Sequence, residues 1–313
     1  MTDAAAASTF DPRLPFTRGQ ALAAGVPRRS LYGPAYRQLH TGIFVSAVVD
    51  PDPLLLAQAA LLPFDADAHA SHATAARVWR LPIPVLPDEH VTVADRKQRR
   101  SRAGIHCHWT SRRDVVSEKG IRVSSLPQTF VELGTLLHLV DLVVVGDHLA
   151  RRCDIAPSQL TAFCSESRHA GAGRALEAAR LVRERVDSPM ESRTRMLIVL
   201  AGLPEPEVNP TILADDGFTV RRYDLCYRRS RTIVEYEGRQ HVEIVRQWEQ
   251  DVMRRAGIDD DAWRSILLIA KDIYSTPGET VERIQRVLLE RGESGVPKRL
   301  SDRWRRYFPE RGT

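Results

Sequence analysis

The chain has 313 residues, of which 43% are hydrophobic and 27% charged, with 45 Lys plus Arg against 40 Asp plus Glu. That length allows two or three cores in an ordinary globular composition, and the mild basic excess permits a polyanionic partner. Four scattered cysteines (Cys107, Cys153, Cys164, Cys226) without a C-x-x-C pair argue against a disulfide framework, and no stretch reads as a signal peptide or bilayer span. The expectation is a soluble, cytoplasmic protein without a membrane partner.

In chain order, "FTRGQALAAGV" opens a short helix with Thr17 as N-cap and Gly25 as its stop. "PRRSLYGPAYRQL" reads as a second, basic helix cut short at Gly33-Pro34, and "YRQLHTGIFVSA" as a β-ribbon around Thr41-Gly42. Helix, turn, basic helix and ribbon is the order of a winged helix-turn-helix over 10–50, with Arg28 and Arg29 as DNA contacts. A middle region over 51–165 mixes helices ("DPLLLAQAALLP", "SHATAARVWRLP" with Ser71 as N-cap, "PQTFVELGTLLH", "LVDLVVVGDHLARR") with strands ("HVTVADRK", "GIHCHWT", "GIRVSSL"). His106-Cys107-His108 and the His69/His72 pair raise a metal question. Without a fourth ligand at a recognisable spacing, the strand histidines read as ordinary surface or core residues, and His72 and Trp79 as packing and helix-capping residues.

After a Gly/Ala joint at 170–173, Ser188-Pro189-Met190-Glu191 has the form of a capping box opening a helix to Gly202, with Arg195 four residues beyond Glu191. There follow a strand at 207–213, a turn at Asp215-Asp216-Gly217, and strands at 218–227 and 232–238. A helix from about His241 to Ala256, a strand at 263–270 and a helix capped by Thr276 complete the order αβββαβα over 185–292. Residues 293–313 read as a basic tail. The fold class expected is a mixed, multi-domain α/β protein.

"TIVEYEGRQH" (232–241) carries the chemistry. Residues i and i+2 of a strand share a face, so Glu235 and Glu237 stand side by side, where like charges repel unless a cation answers. The short connection back to the preceding strand sets Asp224 across the ladder from them. Three oxygen donors on one face suit Mg²⁺ or Mn²⁺ rather than a softer ion. His241 has the pKa range of a general acid or base, Gln240 can orient water or a phosphate oxygen, and arginines 221, 222, 228, 229 and 231 flank the hairpin as phosphate contacts.

On Glu191, "YD" at 223–224 and "VEYEGRQH" at 234–241, residues 185–292 resemble the Vsr-like branch of the PD-(D/E)XK nucleases, the group typed as DUF559 endonuclease-like domains. The resemblance implies a restriction-endonuclease-like α/β domain, with Asp224 and Glu235 at the family's acidic positions, Glu191 as a further metal ligand, and His241 at the histidine that follows. Tyr223 stands where the family has proline, and Glu237 where the strict motif has lysine. "TRGQALAAGVPRRSL…LHTGIFVSA", "SHATAARVWRLP" and "SSLPQTFVELG" resemble actinobacterial proteins with an AbiEi-type antitoxin domain, whose first segment is a DNA-binding winged helix. The combined expectation is a metal-dependent DNA endonuclease: Asp224, Glu235 and Glu191 on the metal, Glu237, His241 and Gln240 assisting, and Arg28, Arg29, Arg222, Arg228, Arg229 and Arg231 on DNA. The alternative is a non-catalytic regulator of the antitoxin type, with a homodimer or a toxin–antitoxin component as its protein partner.

Overall fold

A computed structural model describes residues 10–111, 114–213, 220–237 and 263–309 of the chain. It is a mixed α/β protein, as the sequence leads one to expect, and it divides into two compact units. Residues 1–136 with 167–172 form the first unit, and 137–166 with 173–313 the second. The helix "LVDLVVVGDHLARR", read from sequence with the middle region, therefore belongs to the second unit.

The first unit begins with β1 (Phe16–Thr17), α1 (Arg18–Ala23), β2 (Tyr36–His40) and β3 (Ile43–Ser46), the strands ordered β1-β3-β2. Thr17 caps α1 in a full capping box with Gln20, and Gly25 turns the chain at φ +82°, a conformation in which a side chain is strained. The expected basic helix is a single 3₁₀ turn, Arg28–Tyr32, closed by Gly33. Pro34 explains the truncation, because it disfavours helical backbone in the residue before it. Phe16, Ala21, Leu31 and Phe44 form the small core beneath.

The remainder of this unit is a five-stranded sheet with helices packed on it. Its strands are β4 (His69–Ala70), β5 (Glu89–Val93), β6 (Ile105–Trp109), β7 (Val115–Glu118) and β8 (Ile121–Ser124), in the order β6-β5-β4-β8-β7. The helices are α2 (Pro53–Leu61), α3 (His72–Val78) and α4 (Leu126–Leu133). Asp52 caps α2 through a 2.8 Å bond from the Leu55 N–H, with Pro53 at the first helical position where its missing donor costs nothing. Alanines line the helix–sheet contact: Ala57, Ala70 and Ala75 pack with Ile121 and Val123, and Ala60 and Ala68 with Val91, Val93 and Ile105. Small side chains there let α2 and α3 lie close to the sheet.

The second unit contains α5 (Leu139–Arg152), α6 (Pro157–Glu166), α7 (Ala172–Ala179) from its second residue, and α8 (Pro189–Leu200). The expected strand 207–213 is broken at Asn209-Pro210 into β9 (Glu207–Val208) and β10 (Thr211–Leu213). The next is likewise split into β11 (Val220–Arg222) and β12 (Leu225–Tyr227). Pro210 lacks the ladder donor that a continuous strand would need. β10 and β11 form a separate two-stranded ribbon, while β13 (Thr232–Tyr236) and β14 (Arg264–Leu268) complete a sheet ordered β14-β13-β12-β9. β13 is antiparallel to β12 and parallel to β14.

Two helices, α9 (Ala270–Tyr274) and α10 (Pro277–Glu290), close the unit; Thr276 occupies the N-cap of α10 but makes no capping bond. The segment read as a basic tail is anchored, since Trp304 and Phe308 are buried and the Ser301 N–H donates to the Ala201 carbonyl at 2.8 Å. Burial of each such side chain contributes roughly 1.5–3 kcal/mol, enough to hold Lys298, Arg299, Arg303 and Arg305 on an ordered surface.

Candidate functional site

Asp224, Glu235 and Glu237 lie at one end of the β12–β13 pair in the second unit. Register pairs Leu225 with Val234, so Asp224 and Glu235, one step further on each strand, stand opposite one another. Asp224 turns one oxygen, Oδ2, onto the strand beyond, accepting the Tyr236 N–H at 3.1 Å. The ladder continues through Glu237, whose N–H donates to the Leu268 carbonyl at 2.8 Å. All three carboxylates are half-buried.

Glu191 enters this group from α8. Ser188 caps the helix by accepting the Glu191 N–H at 3.2 Å, but the reciprocal half of the box is shifted: Glu191 Oε2 accepts from the Asp187 N–H at 3.0 Å. The expected pairing with Arg195 does not form. Arg195 is fully buried on Asp147 at 2.9 Å and Glu205 at 3.0 Å. Asn209, which the sequence reading passed over, supplies Glu191 with its second bond, Nδ2 to Oε2 at 2.6 Å. The same Asn209 donates its backbone N–H to the Asp224 carbonyl at 2.9 Å, so one residue ties the helix carboxylate to the Asp224 strand. Its φ of +45° is where asparagine is the most tolerant non-glycine residue, and "VNP" was the available signal. Burial, and then the negative charge of Asp224, push the Glu191 carboxyl above its usual range.

The arginines separate into two groups. Arg222 pairs with Asp187, on the α8 side. Arg228, Arg229 and Arg231 are exposed around the β12–β13 turn, four or more residues from Asp224 and thus on the order of 13 Å along the strand. Arg228 is further engaged by Glu207 at 2.7 Å. Arg28 and Arg29 lie exposed on the 3₁₀ turn of the first unit. Gln240 and His241 lie outside the described residues, as does the helix expected after them.

A second cluster occupies the first unit. Among the described residues, the three metal-ligating side chains whose ligand atoms all fall within 4.8 Å of one another are His72, His90 and His108; the carboxylates around Asp224 do not form such a set. The parallel β5–β6 register sets His90 beside His106 and Thr92 beside His108. His90 Nδ1 lies 2.9 Å from His108 Nε2, and the His72 ring stacks on His108 with centroids 3.9 Å apart. His72 is held from behind, its N–H donating to buried Glu132 at 2.8 Å and its Nδ1 lying 3.0 Å from Ser71 Oγ. Ser71 stands at the N-cap of α3 but makes no capping bond; Glu132 serves the helix start instead. Sequence spacing missed the cluster because its ligands come from three elements, and His90 sits in a strand whose sequence shows only alternation.

The fold and these two sites define a mixed α/β protein with a carboxylate-bearing hairpin and an imidazole cluster. No protein-family model matches the chain. Over 169 residues, 53% of its length, it is 27% identical to two uncharacterized proteins of Mycobacterium tuberculosis, MT2308 of strain CDC 1551 / Oshkosh and Rv2248 of strain ATCC 25618 / H37Rv. The match covers 62% of each relative's length. Among the described residues no helix is long and apolar enough to cross a membrane.

Proposed function

We propose that this chain is a metal-dependent DNA endonuclease of the restriction-endonuclease-like type, with its chemistry at the β12–β13 hairpin. The observation that carries the reading is Asp224 opposite Glu235 on a hairpin flanked by a parallel strand, with Glu191 tied to the same end through Asn209. The donor set fits Mg²⁺ or Mn²⁺: all oxygen, and under like-charge pressure that a hard cation relieves. Asp224, Glu235 and Glu191 would hold the ion, which when bound supplies phosphoryl polarisation and a more acidic water. Glu237, on the Glu235 face, would orient the attacking water. His241 would move a proton to the leaving oxygen, with Gln240 as a positioning group. Arg222 would meet a phosphate at the carboxylate end. Arg228, Arg229 and Arg231 would grip the backbone further along, and Arg28 and Arg29 would hold DNA from a winged-helix-like head.

One observation favours a second reading, a non-catalytic DNA-binding regulator of the antitoxin type: the described carboxylate oxygens are not drawn together to shared ligation distance, as the three histidines are. A cleavage assay separates the two. Supercoiled, linear duplex and single-stranded DNA are incubated with Mg²⁺, Mn²⁺ or EDTA, with wild type beside Glu235→Gln. Metal-dependent cutting lost by at least about a hundredfold in the variant supports the nuclease. DNA binding indifferent to EDTA, without cutting of any substrate, supports the regulator.

A further inference from the structure

We propose that His72, His90 and His108 form a binding site for a divalent d-block cation of the zinc type, separate from the carboxylate hairpin. The three imidazoles come from the start of α3 and from β5 and β6, and their ligand atoms lie within 4.8 Å of one another. Nitrogen donors select zinc, cobalt, nickel or copper over magnesium or calcium. Adjacent nitrogens on a tetrahedral zinc, with bonds of about 2.0–2.1 Å, stand roughly 3.3 Å apart. The 2.9 Å separation of His90 Nδ1 and His108 Nε2 opens slightly to accept an ion, and the His72 ring, stacked on His108 with planes 16° apart, turns its edge toward the shared position.

The shell behind the cluster is built as metal sites require. A ligating histidine is oriented by the hydrogen bond of its other ring nitrogen. Ser71 Oγ, 3.0 Å from His72 Nδ1, takes that role and leaves Nε2 for the ion. Ser71 is itself fixed by a 2.8 Å bond from Thr92 Oγ1. Glu132, 1% exposed, accepts the His72 N–H and also hydrogen bonds from Ser124 and Gln128. His72 adopts φ +48°, a left-handed backbone that strains a non-glycine residue and persists where the surrounding structure holds it, as at functional sites.

The fourth tetrahedral position is left for water or for His169, whose ring centroid lies 5.6 Å from that of His72.

The test uses the full chain, stripped with chelator and titrated with Co²⁺ and then Zn²⁺. The expected result is one tight ion per chain with visible ligand-field bands, displaced by Zn²⁺, and a raised melting temperature. His108→Gln, on the edge strand and half-buried, and His90→Gln each weaken uptake by at least about tenfold at unchanged far-ultraviolet circular dichroism. Glu235→Gln leaves it unchanged. X-ray absorption of the zinc-loaded wild type needs no variant and is expected to count three imidazoles, or four where His169 takes the last position. Absence of saturable uptake, sulfur scattering from the cysteines, or uptake that survives both histidine substitutions would overturn the site.

Discussion

Arg195 shows how one buried residue can matter more than several exposed ones. Its guanidinium is fully buried, bonded to Asp147 at 2.9 Å, and Asp147 also receives the Ser192 hydroxyl at 2.7 Å and the Arg183 N–H at 2.7 Å. Removing one member of such a pair leaves the other charge unanswered inside the protein. Arg195→Met is expected to cost about 3–5 kcal/mol, and adding Asp147→Leu to recover part of that loss, both read from urea unfolding midpoints. Exposed arginines behave differently. Loss of the Arg228–Glu207 pair is expected to move the same midpoint by no more than about 1 kcal/mol, so any large effect of Arg228→Ala on DNA affinity would be recognition rather than folding. From sequence, Arg195 looked like an i, i+4 partner for Glu191. Helix spacing gives who is within reach, but not who wins when a carboxylate from another helix is buried against the same face.

At the scale of elements, the two glycines at the end of α4 and in the returning segment set a close approach. A Cβ on Gly171 would fall 2.2 Å from the Val131 carbonyl oxygen, and one on Gly134 would fall 2.3 Å from the Gly171 carbonyl oxygen. Backbone cannot yield that much, so Gly171→Ala is expected to push residues 167–172, with His169, away from α4. The measurement is faster amide exchange in 167–172 and a lower melting temperature. The elements were largely legible where pattern and punctuation agree. The strands in "HVTVADRK" and "TIVEYEG", the Asp52-Pro53 start of α2 and the Thr17 cap are present, although β5 is buried at every position rather than at alternate ones. Two features were not legible. Asn209-Pro210 divides one expected strand because proline withholds a donor, and the 207–213 stretch then serves two sheets. The histidine cluster depends on β5 and β6 being adjacent and parallel, a fact of topology that no local spacing encodes. Of the hairpin, the pairing of Asp224 with Glu235 followed from strand geometry alone, whereas the hold of Asn209 on Glu191 required the fold.

At the scale of the whole molecule, acid is expected to act mainly through the first unit. Unfolded histidines take protons near 6.5, while folded His90 and His108 do so only near 3 and 4, because burial and neighbouring imidazoles and Arg77 or Arg99 oppose the charge. His72, buried among His69, His90, His108 and His169, is lowered as well. The unfolded chain therefore binds more protons below about 6.5, and the stability present above that value drains away as the pH falls toward 4. Glu132 opposes this: burial raises it to about 7, so it adds stability at low pH that is lost as pH rises through 7. With several histidines against one carboxyl, the metal-free chain is expected to melt at lower temperature at pH 5 than at pH 7.5, and Glu132→Gln to steepen that dependence. A flat profile in both would contradict the assignment of neutral rings.

The first unit is not one continuous run of chain, because residues 167–172 rejoin it after the excursion of 137–166. During synthesis, α5 and α6 are added to the chain before the piece that completes the first unit. A fragment ending at residue 136 lacks His169 and the Gly171 contact, so the amino-terminal unit expressed alone should be trimmed after residue 172, with 137–166 replaced by a short linker. The first unit is therefore completed only after part of the second has been synthesised, whatever each does once folded.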